Sequence, residues 1–209
     1  MMQPFTVLTG RAAPLMQTNI NTDVVIRIER LTNANRSTIG PYALEALRYL
    51  ADGSENPEFP FNQPKYRDAP IMIAGRNFGC GSSREGAVWA LMGMGLRCVI
   101  AESFGDIFYG NCFQNGMLPI RLPDPVVQDL VRESTSSDQP FTVDLQAMAV
   151  TTPSGRTIPF KIDPLRRDAM LAGLDDIGLT LSQGSDIDAW QAADRARHPW
   201  IWRTGEAGV

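Results

Sequence analysis

Residues 71–95 read IMIAGRNFGCGSSREGAVWALMGMG, and this stretch decides the predicted fold. The apolar run at 71–74 is typical of a buried strand, and residues 86–95 have the composition of a short helix. Between them lies a glycine-rich polar turn that ends in two serines, an arginine and a glutamate. Because a further apolar run follows at 97–101, the pattern predicts a βαβ unit at the centre of an α/β fold.

The rest of the chain extends this pattern on both sides. Upstream, we expect a strand, a polar loop and the start of a second strand within residues 5–26, a helix at 41–50 and a proline-rich loop near 52–70. Downstream, the pattern predicts a helical or turn segment at 103–115, strands at 117–122, 141–145, 149–152 and 157–162, and helices at 126–134 and 163–172. The turn at 153–156 predicts a hairpin between the last two strands. The polar region near 183–209 contains three tryptophans, which we expect to pack against the domain. We expect residues 1–209 to form a single domain.

The polar turn has two interpretations from its residues alone. Ser82 and Glu85 fit a capping box, in which the serine caps a helix and the glutamate reaches back. Capping does not account for Asn77, Ser83 and Arg84 beside them. Unpaired N–H groups and the helix dipole favour an anion at such a position, and glycines such as Gly81 allow a ligand to approach the backbone. An anion site and a plain cap therefore both stay open.

Composition excludes several functional classes. The chain has 209 residues, 44% of them hydrophobic, and a formal charge of −4 without a basic block. A nucleic-acid partner is therefore not expected. We predict no membrane association, because no apolar run approaches the ~18–20 residues of a membrane span. The N-terminus also lacks the pattern of a signal peptide, so we expect a cytoplasmic protein.

The cysteines and the single histidine limit the possible chemistry. Cys80, Cys98 and Cys112 form no CxxC pair, so no metal site or iron–sulfur cluster is predicted within this chain. Cys98 lies in an apolar run and is interpreted as a core residue, whereas Cys80 could line the turn or pack beneath it. His198 lies in the C-terminal region next to a proline, which argues against a histidine base.

Four segments, taken together, resemble one family. They are residues 19–23 (NINTD), 77–85 (NFGCGSSRE), 103–119 and 173–181. In this order they are similar to the small subunit of 3-isopropylmalate dehydratase, which is itself similar to the swivel domain of aconitase. The resemblance spans about residues 5–190. It implies a three-layer β/β/α swivelling domain, as in the aconitase C-terminal domain.

The resemblance also implies a mechanism and a partner. In the family, a 4Fe–4S cluster is held by a large subunit, and this chain would contribute the turn at 77–85. Ser82 would then act as the base, as an alkoxide stabilised by Arg84 and nearby N–H groups. Arg84 and Ser83 would hold a substrate carboxylate, with Asn77 and Gly81 also lining the substrate site. The implied reaction isomerises a 2-hydroxy diacid by dehydration and rehydration, in leucine biosynthesis.

Two departures from the family pattern leave the substrate open. Gly86 stands where the family commonly has histidine. Arg27 and Arg30 stand in the loop with which, the resemblance implies, the family recognises the variable group of the substrate. Either arginine could bind a further carboxylate or hydroxyl, or both could be solvated or contact the partner.

Three functions are therefore compared. The first is the small subunit of an isopropylmalate isomerase. The second is the same chemistry on a homoaconitate, methylmalate or citrate relative. The third is a subunit without turnover that binds anions or a partner.

Overall fold

The computed structural model describes residues 2–81 and 83–202, and it contains two four-stranded sheets. The first sheet is parallel and has the order β2-β3-β4-β5, formed by Ala12–Leu15, Ile71–Ala74, Cys98–Ala101 and Leu118–Arg121. The second is antiparallel, with the order β1-β6-β7-β8, formed by Val7–Gly10, Phe141–Asp144, Ala149–Thr151 and Thr157–Pro159.

The helices connect and cover these sheets. Their bounds are α1 Thr22–Val25, α2 Ile28–Asn33, α3 Glu45–Arg48, α4 Gly86–Gly93, α5 Asp106–Asn115, α6 Asp124–Ser136, α7 Pro164–Ala172, α8 Asp176–Ser182 and α9 Gly184–Arg197. Single 3₁₀ turns lie at Gly40–Tyr42 and Pro60–Asn62. Within the described part of the chain, none of the helices combines the length and hydropathy that crossing a bilayer requires.

The parallel sheet forms the middle of three layers. Every residue of β3 and β4 is buried, as expected for strands covered on both faces. Met72 on one face belongs to a core shared with Leu91 of α4, whereas Ile71 on the other belongs to a core shared with Phe141 of the antiparallel sheet. This helix, sheet, sheet arrangement confirms the predicted three-layer β/β/α architecture.

Two local predictions upstream of this core are wrong. Residues 24–26 were expected to begin a strand, but Thr22–Val25 is a helical turn, because the Asn21 side chain accepts a hydrogen bond from the Val24 N–H and caps it. The helix predicted at 41–50 is broken at Leu44, which has a φ of 54°. The Leu44 N–H donates to the Val25 carbonyl at 2.8 Å, and this tertiary bond separates the 3₁₀ turn from α3.

The C-terminal prediction is also partly wrong. The described part of the polar region is largely the helix α9, and residues 203–209 lie outside the described residues. Trp190 and Trp200 are 65% and 64% exposed, so they do not pack into the domain as expected. Trp202 is more enclosed, and its indole N–H donates to Asp194. The single-domain organisation stays a prediction.

Candidate active site

The predicted site lies where three parallel strands end. The loops after β2, β3 and β4 meet there through backbone hydrogen bonds. The Gly79 N–H donates to the Ile20 carbonyl at 2.7 Å, and the Phe78 N–H donates to the Ser103 carbonyl at 3.1 Å. Ligands of α/β folds commonly bind at the carboxyl ends of the strands. The 77–85 turn therefore lies at the edge of the sheet where a substrate site is expected.

Two asparagines join the first two of these loops. Asn19 and Asn77 have φ values of 57° and 59°, a left-handed conformation that asparagine tolerates better than most side chains. Asn77 Nδ2 donates to the side-chain Oδ1 of Asn19 at 2.9 Å, and the Asn77 backbone N–H donates to Ser103 Oγ at 3.0 Å. Asn77 is thus part of the framework that shapes the turn.

Glycine is required at one point of the turn. Gly79 has a φ of 71°, and a Cβ placed there would lie 2.3 Å from the Phe108 ring. The turn can therefore pack directly onto α5 only with glycine at this position. Gly81, with a φ of 98°, is exposed, as is Ser83, so the turn presents its polar end outward. Ser82 lies outside the described residues.

Arg84 is held by an aspartate from α1. Its Nη1 donates to Asp23 Oδ1, and 24% of the Arg84 side chain is exposed. Asp23 lies in the segment 19–23 that the sequence analysis singled out, but it was not predicted as a site residue. A carboxylate paired with guanidinium fixes the direction of the fork, so Asp23 is a positioning residue for Arg84.

The capping-box interpretation is wrong for Glu85. The helix α4 begins at Gly86 with Glu85 immediately before it, so Glu85 is not the third helical residue. Its carboxylate instead accepts a hydrogen bond from Asn115 Nδ2 at 2.8 Å, and Asn115 Oδ1 accepts from the indole N–H of Trp89 at 2.9 Å. Glu85 therefore ties the end of the turn to α5.

Gly86 has a packing role that the sequence did not indicate. It is buried, and a Cβ at this position would lie 2.2 Å from Leu31 Cδ2. The space next to the site that a larger residue would occupy is therefore filled by a leucine from α2.

Arg27 and Arg30 lie beside the site and share one carboxylate. Arg30 Nε is 3.0 Å from Glu45 Oε2, and Arg27 Nε is 3.4 Å from Glu45 Oε1. The hydrogen bond that Arg30 donates to the Glu45 carboxylate raises the pKa of Arg30. Both arginines line a groove of about 550 Å³ with Tyr42 and the carboxylate itself. Nothing in the local sequence pairs Glu45 with the two arginines.

Two of the three cysteines lie in the core, and the third lies in the turn. Cys98 and Cys112 are fully buried, and burial raises the pKa of both thiols. Cys80 is partly exposed, and its carbonyl accepts from the Thr22 N–H at 2.9 Å. Among residues 2–81 and 83–202, no three histidine, cysteine or acidic side chains are grouped as metal ligands.

Comparison with known proteins assigns the chain to a family. Residues 2–125 match the aconitase C-terminal domain, and residues 133–164 match the LeuD_N model. Residues 176–201 match the C-terminal domain of the 3-isopropylmalate dehydratase small subunit.

The chain is 51% identical over 200 residues to the 3-isopropylmalate dehydratase small subunit of Rhodospirillum centenum, covering 95% of this chain and 98% of that protein. It is 49% identical to the small subunit of Paracoccus denitrificans, covering 96% of this chain and all of the relative. The crystal structure of 3-isopropylmalate dehydratase (leuD) from Methanocaldococcus jannaschii superposes with a TM-score of 0.65 at 25% identity, covering 88% of this chain and 99% of that one. The chain therefore belongs to the 3-isopropylmalate dehydratase small subunit family.

Proposed function

We propose that this chain, together with a large subunit, interconverts 2-isopropylmalate and 3-isopropylmalate by dehydration and rehydration, as a step of leucine biosynthesis. The family assignment supports the reaction class. The observation that carries the proposal is the position of Arg84, which Asp23 holds beside the exposed Gly81 and Ser83 where the parallel strands end.

Arg84 is proposed to bind a substrate carboxylate. A guanidinium has five N–H donors and can hold two oxygens at once. Because Asp23 engages Nη1, a second carboxylate can approach another edge of the same fork. Ser83 is exposed next to Arg84 and supplies a hydroxyl that can donate to the same carboxylate. We further propose that Asn77 and Gly81 line the substrate site and define its shape through the conformation of the turn.

Ser82 is proposed as the base that removes the proton next to a substrate carboxylate. This role rests on the family resemblance. A serine hydroxyl can lose its proton only where positive charge and N–H groups stabilise the alkoxide in a site that excludes water. Arg84 follows two residues later, and α4 begins two residues after Arg84, so both sources of positive potential are close in the chain.

A 4Fe–4S cluster is proposed to belong to the large subunit. The described residues of this chain provide no suitable group of ligands, and two of its three thiols are buried in the core. When bound in the complex, the cluster would polarise the hydroxyl that leaves the substrate. The contribution of this chain is to bind the carboxylate, to hold the proton taken from carbon and to help exclude water.

The test is anaerobic reconstitution with the large subunit, followed by turnover of 3-isopropylmalate. Ser82→Ala should lower kcat by about 10²–10⁴-fold, the usual contribution of a positioned base. Ser37→Ala is the matched control, because Ser37 is exposed and its hydroxyl bonds locally to Asn35. Unchanged turnover in Ser82→Ala would instead indicate an interaction subunit without a catalytic base.

A different 2-hydroxy diacid remains the second candidate, because Arg27 and Arg30 line a groove beside the site. Turnover of a panel of such diacids by the same complex distinguishes the two. The cytoplasmic location and the lack of a nucleic-acid or membrane partner stay predictions.

A further inference from the structure

The groove beside the site contains two arginines that share one carboxylate. Arg30 on α2 approaches Glu45 through both Nε and Nη2, each 3.0 Å from Oε2. Arg27, just before α2, reaches Oε1 at 3.4 Å. The Glu45 side chain is 13% exposed, against 57% for Arg27 and 43% for Arg30. The carboxylate is thus the enclosed centre of the cluster, and the arginines are its outer edges.

This cluster is connected to the proposed substrate site. Arg27 shares a shallow cavity of about 400 Å³ with Asp23, which holds Arg84. On its other side, Arg27 lines the larger groove with Arg30, whose guanidinium lies 4.3 Å from the centre of the Tyr42 ring. A substrate bound at Arg84 would therefore have its variable group within reach of this cluster.

The charges of this region balance. Its cations are Arg27, Arg30 and Arg84, and its anions are Asp23, Glu29 and Glu45. Arg30 contacts both oxygens of Glu45, and Arg27 approaches Oε1, so both guanidinium groups already have a carboxylate partner. A further carboxylate would have to compete with Glu45 at short range, and two carboxylates around one site repel each other.

We propose that Glu45 is a specificity-determining residue: by occupying Arg27 and Arg30 it makes the groove accept an uncharged branched group and reject a third carboxylate. This inference rests on the proposed isomerase function. Glu45 would act through the two arginines and would not touch the reacting atoms. Loss of its charge would leave two unpaired cations beside the variable group, a natural binding site for a carboxylate.

The test compares two substrates with the complete complex. Isocitrate carries a carboxymethyl group where 3-isopropylmalate carries isopropyl, so the pair differs mainly by the third carboxylate. In Glu45→Gln, the ratio of kcat/KM for isocitrate to that for 3-isopropylmalate should rise about tenfold or more over the unsubstituted complex. The rise should come mainly from a lower KM for isocitrate. Adding Arg27→Gln to Glu45→Gln should reverse much of it.

Two further variants separate a change in substrate specificity from a loss of stability. Glu133→Gln also removes a partly enclosed carboxylate paired with arginine, but near the β7–β8 hairpin, and should leave the ratio unchanged. If Glu45→Gln does not assemble, Glu45→Asp retracts the carboxylate and should raise the ratio by a smaller factor.

A ratio within about twofold of the original, or an equal loss with both substrates, would overturn the role of Glu45. Failure of the unsubstituted complex to turn over 3-isopropylmalate would instead overturn the proposed function.

Discussion

Asp23 and Arg84 show how one residue controls the direction of another. The two lie 61 positions apart in sequence, Asp23 in α1 and Arg84 in the turn after β3, and the salt bridge joins them at the proposed site. A guanidinium that binds substrate with one edge needs its other edge fixed, because small displacements of a binding group are costly to catalysis.

We expect Asp23→Asn to lower kcat/KM for 3-isopropylmalate about ten- to hundredfold, because Arg84 loses the charge that orients it. Steady-state kinetics of the reconstituted complex is the measurement. Asp68→Asn, an exposed loop residue, is the control and should have little effect. Equal kinetics in Asp23→Asn and the control would show that Arg84 is positioned by other contacts.

Gly86 permits a second prediction at this scale. A methyl group there would collide with Leu31, so Gly86→Ala should destabilise the chain by about 1–3 kcal/mol, the usual cost of overpacking. Leu31→Ala in the same chain should recover part of the loss, measured as coupling in a double-mutant cycle of urea unfolding.

The control for this pair is Gly110→Ala within α5. A Cβ at Gly110 would meet nothing within 4 Å, so helix propensity alone predicts a gain of up to about 1 kcal/mol. If Gly110→Ala destabilised the chain as much as Gly86→Ala does, a collision with Leu31 would not explain the effect at Gly86.

Individual site residues differed in how far sequence could predict them. Asn77, Gly81 and Arg84 were predicted because they are contiguous with a strand and a helix start, so their location follows from local pattern. Asp23 and Glu45 were not predicted as site residues, because their arginine partners are distant in sequence and only the fold brings them together. For Arg27 and Arg30 the sequence left open whether they bind the substrate, are solvated or contact the partner, and their shared carboxylate could not be inferred from spacing.

At the scale of the elements, the buried strands were the most predictable. Residues 71–74 and 98–101 are continuous apolar runs, the pattern of parallel strands covered on both faces. The short helix α1 was missed because capping by the Asn21 side chain overrides local propensity. The helix predicted at 41–50 was too long, because the tertiary bond from Leu44 limits it to α3. Because α3 begins with Glu45, the break at Leu44 also places the carboxylate for which a role in specificity is proposed.

The start of α7 gives a prediction for an element that sequence did indicate. Asp163 accepts hydrogen bonds from the N–H groups of Leu165 and Arg166 at 3.0 and 3.2 Å, and Gly173 ends the helix in a left-handed conformation. Asp163→Ala should therefore lower the free energy of unfolding by about 1 kcal/mol. Asp168→Ala, in the same helix but not at its start, should cost clearly less in the same denaturant titration. Equal losses would mean that the cap contributes nothing specific.

At the scale of the whole molecule, Asp138 connects separate segments. Its carboxylate accepts a hydrogen bond at 2.8 Å from Arg11, the residue between β1 and β2. Asp138 Oδ1 also lies 3.6 Å from Nζ of Lys65 in the proline-rich loop. The hydrogen bond and the charge of Arg11 lower the pKa of Asp138, with a further contribution from Lys65.

Because the folded-state pKa is lowered, this contact stabilises the protein above the ordinary pKa of aspartate. The contribution is lost as pH falls through the lowered value. We expect Asp138→Asn to flatten the acid side of a plot of Tm against pH, with Arg11→Gln producing the same change. An acid limb that is identical in all three proteins would contradict the prediction.

The division of β1 and β2 between two sheets has a consequence for synthesis. Only Arg11 separates these strands, yet β2 joins a sheet completed by residue 121, whereas β1 must pair with residues 141–144. Long-range pairing is slow to form, and partly folded chains expose apolar surface. A nascent chain that has reached about residue 125 can assemble the parallel sheet, but Ile71 and Ile73 would still lack the cover that Phe141 provides. The interval between these two events is when the growing chain is most exposed to aggregation, so slowing the synthesis of residues 125–160 should lower the yield of folded protein.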